Sequence, residues 1–334
     1  MGGAGQVSEK SANQLGAAAV GLGIGLAAVA RPAYITAGRA GDLPGDRTVD
    51  ALRARTFEVL DAAYAGGIRY VDVARSYGYA ERFLRDWMDT HPEIADITVG
   101  SKWGYRYVGD WRMDAAVHEI KDHSRDAFTR QLAETRAILE TRLGIYHIHS
   151  ATPETGVLAD RDLMSALARL RDTGVAIGLS VSGPSQADSI REAMRIRVDG
   201  TPLFTSVQAT WNPLEPSAGA ALEEAAHHGA RVIVKEALAN GRLAPGQRGD
   251  DPGAARMAHI ADEVGMRIDC LALAAALSRP WVWRVLSGAV DAGQVRENLS
   301  AVGVSVSAGA MSALGEVAEE PNRYWSGRSA RSWN

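Results

Sequence analysis

The sequence predicts an α/β protein, a single (β/α)8 (TIM) barrel, on three observations. The 334 residues suffice for one such barrel with loops. Short apolar runs alternate with amphipathic stretches from Thr48 onward, the pattern of a parallel sheet wrapped by helices. The runs number eight, and no Pro- or Gly-rich linker divides the series. With 46% apolar residues the chain can build a sizeable core, and disorder is not expected.

Taken in order, the expected strands are Val20–Ile24, Arg69–Ala74, Asp96–Ser101, Ile145–His149, Ala176–Val181, Thr205–Thr210, Arg231–Val234 and Arg284–Ala289. Between them, Thr48–Ala65, Arg125–Glu140, Asp160–Asp172, Ser185–Met194 and Gly219–His228 each have length for several helical turns. Gly66-Gly67, Gly144, Gly174 and Gly229 suit the left-handed position just past a helix end. The barrel is expected over residues 15–320, after an extension at 1–14 and before a tail at 321–334. Leu15–Ala30 imitates a signal peptide, with Ala28-Val29-Ala30 resembling a cleavage site. Glu9 beside Lys10 removes the positive bias such a leader needs, so the segment reads as a buried first strand.

Net charge is −4 without long runs of either sign, which argues against nucleic-acid binding or a polybasic membrane surface. The lone Cys270 can form neither an internal disulfide nor a zinc cluster, so no metal is expected and a reducing cytoplasm is the natural location. Three segments depart from a bare barrel: an insertion at Tyr105–Ser124, a polar loop at Leu243–Ala254, and the aromatic, basic tail Pro321–Asn334, which lacks helical period and is expected either to close over the barrel mouth through Tyr324, Trp325, Arg328, Arg331 and Trp333 or to pack on the outer helices or a neighbouring subunit. The first two follow strand C-terminal ends, where barrel active sites lie.

Chemistry-bearing residues gather at the same ends. Asp72 closes the second strand and Tyr77 follows it in Asp-x4-Tyr-Gly; Ser101-Lys102-Trp103 closes the third, and Tyr146-His147-Ile148-His149 the fourth. Consecutive strands of a closed sheet can bring all four side chains to one mouth. With Val207-Gln208-Ala209-Thr210-Trp211-Asn212-Pro213-Leu214 in the sixth strand, these segments resemble the aldo-keto reductases in the family's order, from about Leu15 to Val302. The resemblance implies NAD(P)H-dependent reduction of an aldehyde, ketone or sugar-like carbonyl. Asp72, Tyr77, Lys102 and His149 would form its catalytic tetrad. Tyr77 would be the general acid, its pKa lowered by Lys102, which Asp72 holds charged; His149 would orient the substrate oxygen. His147 reads as a packing residue.

The resemblance also implies a cofactor path. Gly23, Ile24 and Gly25 match a Gly-rich first strand where backbone approaches nicotinamide; their spacing is not that of a Rossmann fingerprint. Ser180 and Gln208 match groups that grip the carboxamide, while Val181 replaces the family's Asn, so one contact is lost or moves to Ser182. Lys235 stands where the family stacks an aromatic, and Glu236, Leu238, Asn240 and Arg242 continue that segment. Lys235–Glu236 could equally be a structural ion pair. Ser287, Gly288, Gln294, Glu297 and Asn298 match the adenosine-phosphate site, where Gly288 and Gln294 replace basic residues. NADPH is favoured on family grounds, with NADH open. Two rival readings remain: a nucleotide-binding regulatory subunit, and non-redox dehydration or cyclisation using Tyr77.

Overall fold

The computed structural model describes residues 21–34, 40–43, 45–246, 251–331 and 333. The expected extension at 1–14, the start of the first strand, part of the polar loop (247–250) and residues 332 and 334 lie outside the described residues. Eight parallel strands close into a barrel: β1 (Leu22–Gly25), β2 (Tyr70–Asp72), β3 (Thr98–Trp103), β4 (Leu143–Ala151), β5 (Ala176–Val181), β6 (Ser206–Thr210), β7 (Arg231–Lys235) and β8 (Arg284–Ser287). Each pairs with its sequence neighbours, and β8 pairs with β1 to complete the ring. The predicted fold class is the one observed.

The helices that wrap the barrel are set by local signals. Helix α1 (Val49–Ala65) begins at Thr48, whose hydroxyl accepts from Ala51 N, and buries Leu52, Val59, Leu60 and Ala63. Helices α2 (Ala80–Thr90), α3 (Arg125–Leu139), α4 (Arg161–Arg171), α5 (Gln186–Arg195) and α6 (Gly219–His227) follow β2 to β6. Ser124 and Asp160 cap α3 and α4 through their side-chain oxygens. Gly174 and Gly229 take positive φ after helix ends, as expected. Gly144 does not: it lies inside β4, because the chain leaves α3 through Glu140 (φ 52°) and a 3-10 turn at Glu140–Arg142. Farther on come α7 (Pro252–Glu263), α8 (Ile268–Leu277), α9 (Ala292–Leu299) and α10 (Ala308–Gly315). No helix among the described residues is long and apolar enough to cross a membrane.

Inside the barrel, Tyr70, Ile145 and Ile233 form a small buried cluster. The Tyr70 ring needs two glycines to fit. A Cβ on Gly23 would lie 2.8 Å from its Cδ1, and one on Gly100 2.2 Å from its hydroxyl oxygen. The same hydroxyl donates to Asp72 Oδ1 at 3.3 Å.

The insertion after β3 is a hairpin in which Tyr105–Tyr107 pairs antiparallel with Glu119–Lys121. The tail departs from expectation. Pro321–Ser329 is a helix, α11, with Pro at its first turn and Glu320 accepting from Arg323 N at its N-terminus. The sequence pattern hides this helix because it buries only the adjacent pair Tyr324 and Trp325 rather than a repeating stripe.

Candidate active site

Register delivers the tetrad. Asp72 stands beside Gly25 on one flank and Gly100 on the other, and Lys102 beside His147. A bulge between Ile148 and Ala151, with Ser150 at φ 54°, re-aims the end of β4 where His149 sits. Lys102 Nζ, fully buried, donates to Asp72 Oδ2 at 2.5 Å and to the Val73 carbonyl at 3.0 Å. Asp72 Oδ1 accepts from Gln208 Nε2 at 2.8 Å. Tyr77 lies above, its ring centroid 4.6 Å from Lys102 Nζ and its hydroxyl 3.4 Å from His149 Nε2.

The electrostatics differ from the expected division of labour. Burial pushes the Tyr77 phenol well above its ordinary range, and Asp72 adds to the rise. The cation opposing it is Arg31 rather than Lys102; Lys102 is matched by Asp72, which cancels most of its field. Burial also lowers Lys102, with Asp72 opposing, and holds His149 well below the usual imidazole range. Tyr77 and His149 are therefore both neutral near pH 7, one as a hydroxyl donor and the other as an imidazole. His147 is the packing residue expected: it is buried, with Nε2 2.9 Å from Ser206 Oγ.

A cavity of about 530 Å³ opens over these groups and extends across the ends of β7 and β8 to α9. Asp72, Tyr77 and His149 line it, and so do Gly25, Ser182, Gln208, Lys235, Glu236, Leu238 and Asn240. Ser287, Gly288, Gln294, Glu297 and Asn298 line its far part. Five residues assigned to the cofactor path are not on its wall. Gly23 faces Tyr70, and Ile24 and Val181 point into the hydrophobic core. Ser180 Oγ accepts from Ser150 N at 2.8 Å. Arg242 is engaged by Asp251 and Glu319 and anchors α7 to the segment before α11. Strand alternation explains the exchange at β5: with Val181 turned outward, Ser182 is the residue that reaches the cavity.

Lys235 donates to Thr210 Oγ1 at 2.8 Å and lies 3.7 Å from Glu236, and burial lowers its pKa to about 8. Glu236 is held far below the usual carboxylate range against its burial, chiefly by Arg328 of α11, which meets it with both Nε and Nη2. Glu236, Ala239 and Asn240 all have positive φ (57°, 49° and 54°). The tail reaches this left-handed stretch again just past α11, where Arg331 Nη1 donates to the Ala239 carbonyl at 3.2 Å.

Arg328 and Trp333 line the cavity from the tail expected over the barrel mouth, whereas Arg31 and Glu119 are cavity residues that sequence reasoning missed. Arg31 Nη1 bonds Glu119 Oε1 at 2.7 Å, and its guanidinium lies 5.0 Å from the Tyr77 ring centroid and 4.7 Å from that of Trp333. Trp333 in turn stacks on His118 of the insertion. These residues come from a loop, a hairpin and the tail, and no spacing rule links them.

The sequence matches the model of the Aldo/keto reductase family over residues 45–319. The chain belongs to that family, and as such is an oxidoreductase. No curated protein matches it significantly. Among solved structures, it is similar to an aldo-keto reductase from Bacillus halodurans in its holo form (21% identity, 90% of this chain and 92% of that one, TM-score 0.66). It is also similar to a glycerol dehydrogenase from Gluconobacter oxydans (19% identity, 89% and 90% covered, TM-score 0.64). At these identities the likeness establishes the fold.

Proposed function

We propose that the protein is an NAD(P)H-dependent reductase of a small carbonyl compound, with Tyr77 as its general acid. The observation that carries this reading is the convergence of the Tyr77 hydroxyl, His149 Nε2 and the Lys102–Asp72 pair at one end of a long cavity. The residues present fit a nicotinamide dinucleotide. Gly25 and Gly288 leave the wall open, and Ser182, Gln208, Ser287 and Asn298 supply polar groups along it. Leu238 and Ala289 add apolar surface. The cofactor, when bound, supplies the hydride.

The chain's own residues manage the proton and the oxygen. Because burial keeps Tyr77 protonated, its hydroxyl can donate to the oxygen of a carbonyl as negative charge develops there. His149, neutral and 3.4 Å away, fixes where that oxygen sits. Arg31, beside the Tyr77 ring, stabilises the phenolate left behind, while Lys102 offsets the charge of Asp72 beneath it. The hairpin and the tail, meeting through His118 and Trp333, cover this end, which supports a role for the tail in substrate choice.

The test is Tyr77→Phe. Carbonyl reduction should fall by roughly 10²–10⁴-fold while nucleotide binding, followed by quenching of tryptophan fluorescence, is retained. A Phe variant that turns over a verified substrate at the parent rate removes Tyr77 as the acid.

A further inference from the structure

We infer that the dinucleotide taken by this cavity is the form without a 2′-phosphate, NADH or NAD⁺, selected by carboxylates at the α9 end. The inference rests on the cofactor reading above and deepens it. The argument is one of charge and of donors already in use.

If the nicotinamide lies by Tyr77, the adenosine half lies along β8 and α9. Asp42, Asp269 and Glu297 line that part of the cavity, and Asp291 stands at the start of α9. Among the described residues, the cations nearby are Arg267, Arg55 and Arg296, none of which lines the cavity. Arg267 is engaged by Asp269 and by Glu297 (3.1 Å). Arg55 reaches Glu58 at 3.3 Å and the Val290 carbonyl at 3.5 Å, and Arg296 is exposed on α9. A 2′-phosphate brings close to two negative charges and needs charge-assisted donors.

Several neutral donors at this end are also in use. The N-terminus of a helix ordinarily offers free N–H groups to phosphate. Here Asp291 Oδ1 accepts from Gln294 N at 2.8 Å, placing a carboxylate where the phosphate would go. The Gln294 side chain is spanned between two protein groups: Oε1 accepts from Val290 N at 3.0 Å, and Nε2 donates to Asp42 Oδ2 at 3.0 Å. Ribose hydroxyls have the opposite requirement. They donate, and a carboxylate such as Asp42 on the cavity wall is a suitable acceptor.

The experiment is titration of the full chain with NADH and, separately, NADPH, read by fluorescence quenching and calorimetry at low and high salt. NADH should bind at least about tenfold more tightly at low salt. The gap should narrow as salt screens the repulsion of the 2′-phosphate. Gln294→Arg combined with Asp42→Asn should move the ratio of the two dissociation constants toward NADPH. NADPH binding as tightly as NADH, or a preference that neither salt nor the double variant alters, overturns the inference and leaves the reductase standing. Failure of both nucleotides to bind overturns the cofactor reading itself.

Discussion

Two buried ion pairs flank the cavity, and they are made in different ways. Lys102 and Asp72 stand on adjacent barrel strands, 0% and 3% exposed, so closing the sheet is enough to bring them together. Arg328 and Glu236 are 92 positions apart, and their pairing requires the last helix to dock across the end of β7. The first pair is therefore a property of the barrel, and the second of the chain terminus. Glu236 also has Thr210 Oγ1 at 3.0 Å and Lys235 at 3.7 Å, whereas Lys102 has only Asp72 as a charged partner among the described residues. Removing one member should thus be far more damaging in the wall than at the tail.

The largest expected effect is at Lys102→Met. It strands the Asp72 charge in the barrel and should cost about 3–5 kcal/mol of stability by denaturant unfolding. Activity should fall with it. A variant that unfolds at the parent denaturant midpoint would show that the wall pair is not the stabilising unit described above.

Acid should separate the β4 side of the cavity from the rest. Burial lowers His147 to about 3 and His123 to about 4, with His149 also well below its usual value. These groups stay neutral in the fold and take up protons below pH 6.5 when unfolded, so their contribution is complete above about pH 6.5 and declines as pH falls toward about 4. For the fully buried His147 ring the slope is roughly 1.4 kcal/mol per pH unit. His147→Gln, which can still bond Ser206, should make this acid limb shallower. An unchanged limb would assign it to other groups.

Breaking the tail pair by Arg328→Gln should cost less, about 1–3 kcal/mol, because Glu236 keeps Thr210 and Lys235. Nucleotide affinity should weaken disproportionately, since Glu236 and Asn240 line the cavity. Loss of stability with unchanged nucleotide affinity would make α11 a brace for the fold alone.

The smallest effect concerns Lys235. Its folded pKa of about 8 lies below the unfolded value, so the unfolded chain binds more protons between about pH 8 and 10.5. Wild-type stability should gain on that of Lys235→Met as pH rises through this window. A constant difference between the two proteins would place Lys235 in a wetter setting than the structure gives it.

Much of the tetrad end is legible in the sequence, for the reason that separates the two pairs. Asp72, Tyr77, Lys102 and His149 sit at strand ends, where apolar runs bracket them and regular closure fixes their neighbours. Arg31, Glu119 and Arg328 sit on segments whose placement depends on what they dock against, and a linear pattern does not encode that. Errors of one or two positions had another cause. Val181 and Ser182 differ by a single step of the pleat, and Gly23 and Gly25 share a face of β1. At Gly25 that face meets open cavity, but at Gly23 it meets the ring of Tyr70.

That ring has a consequence for how this sequence can change over time. Tyr70 fills space left by the missing side chains of Gly23 on β1 and Gly100 on β3, and its hydroxyl reaches Asp72. A methyl group at either glycine collides with the phenol, while a smaller residue at position 70 leaves a void and removes a donor from Asp72. The three positions can be exchanged only as a set. Homologues that carry alanine at position 100 should therefore lack tyrosine at position 70, leaving the aspartate to donors such as Gln208 and Lys102.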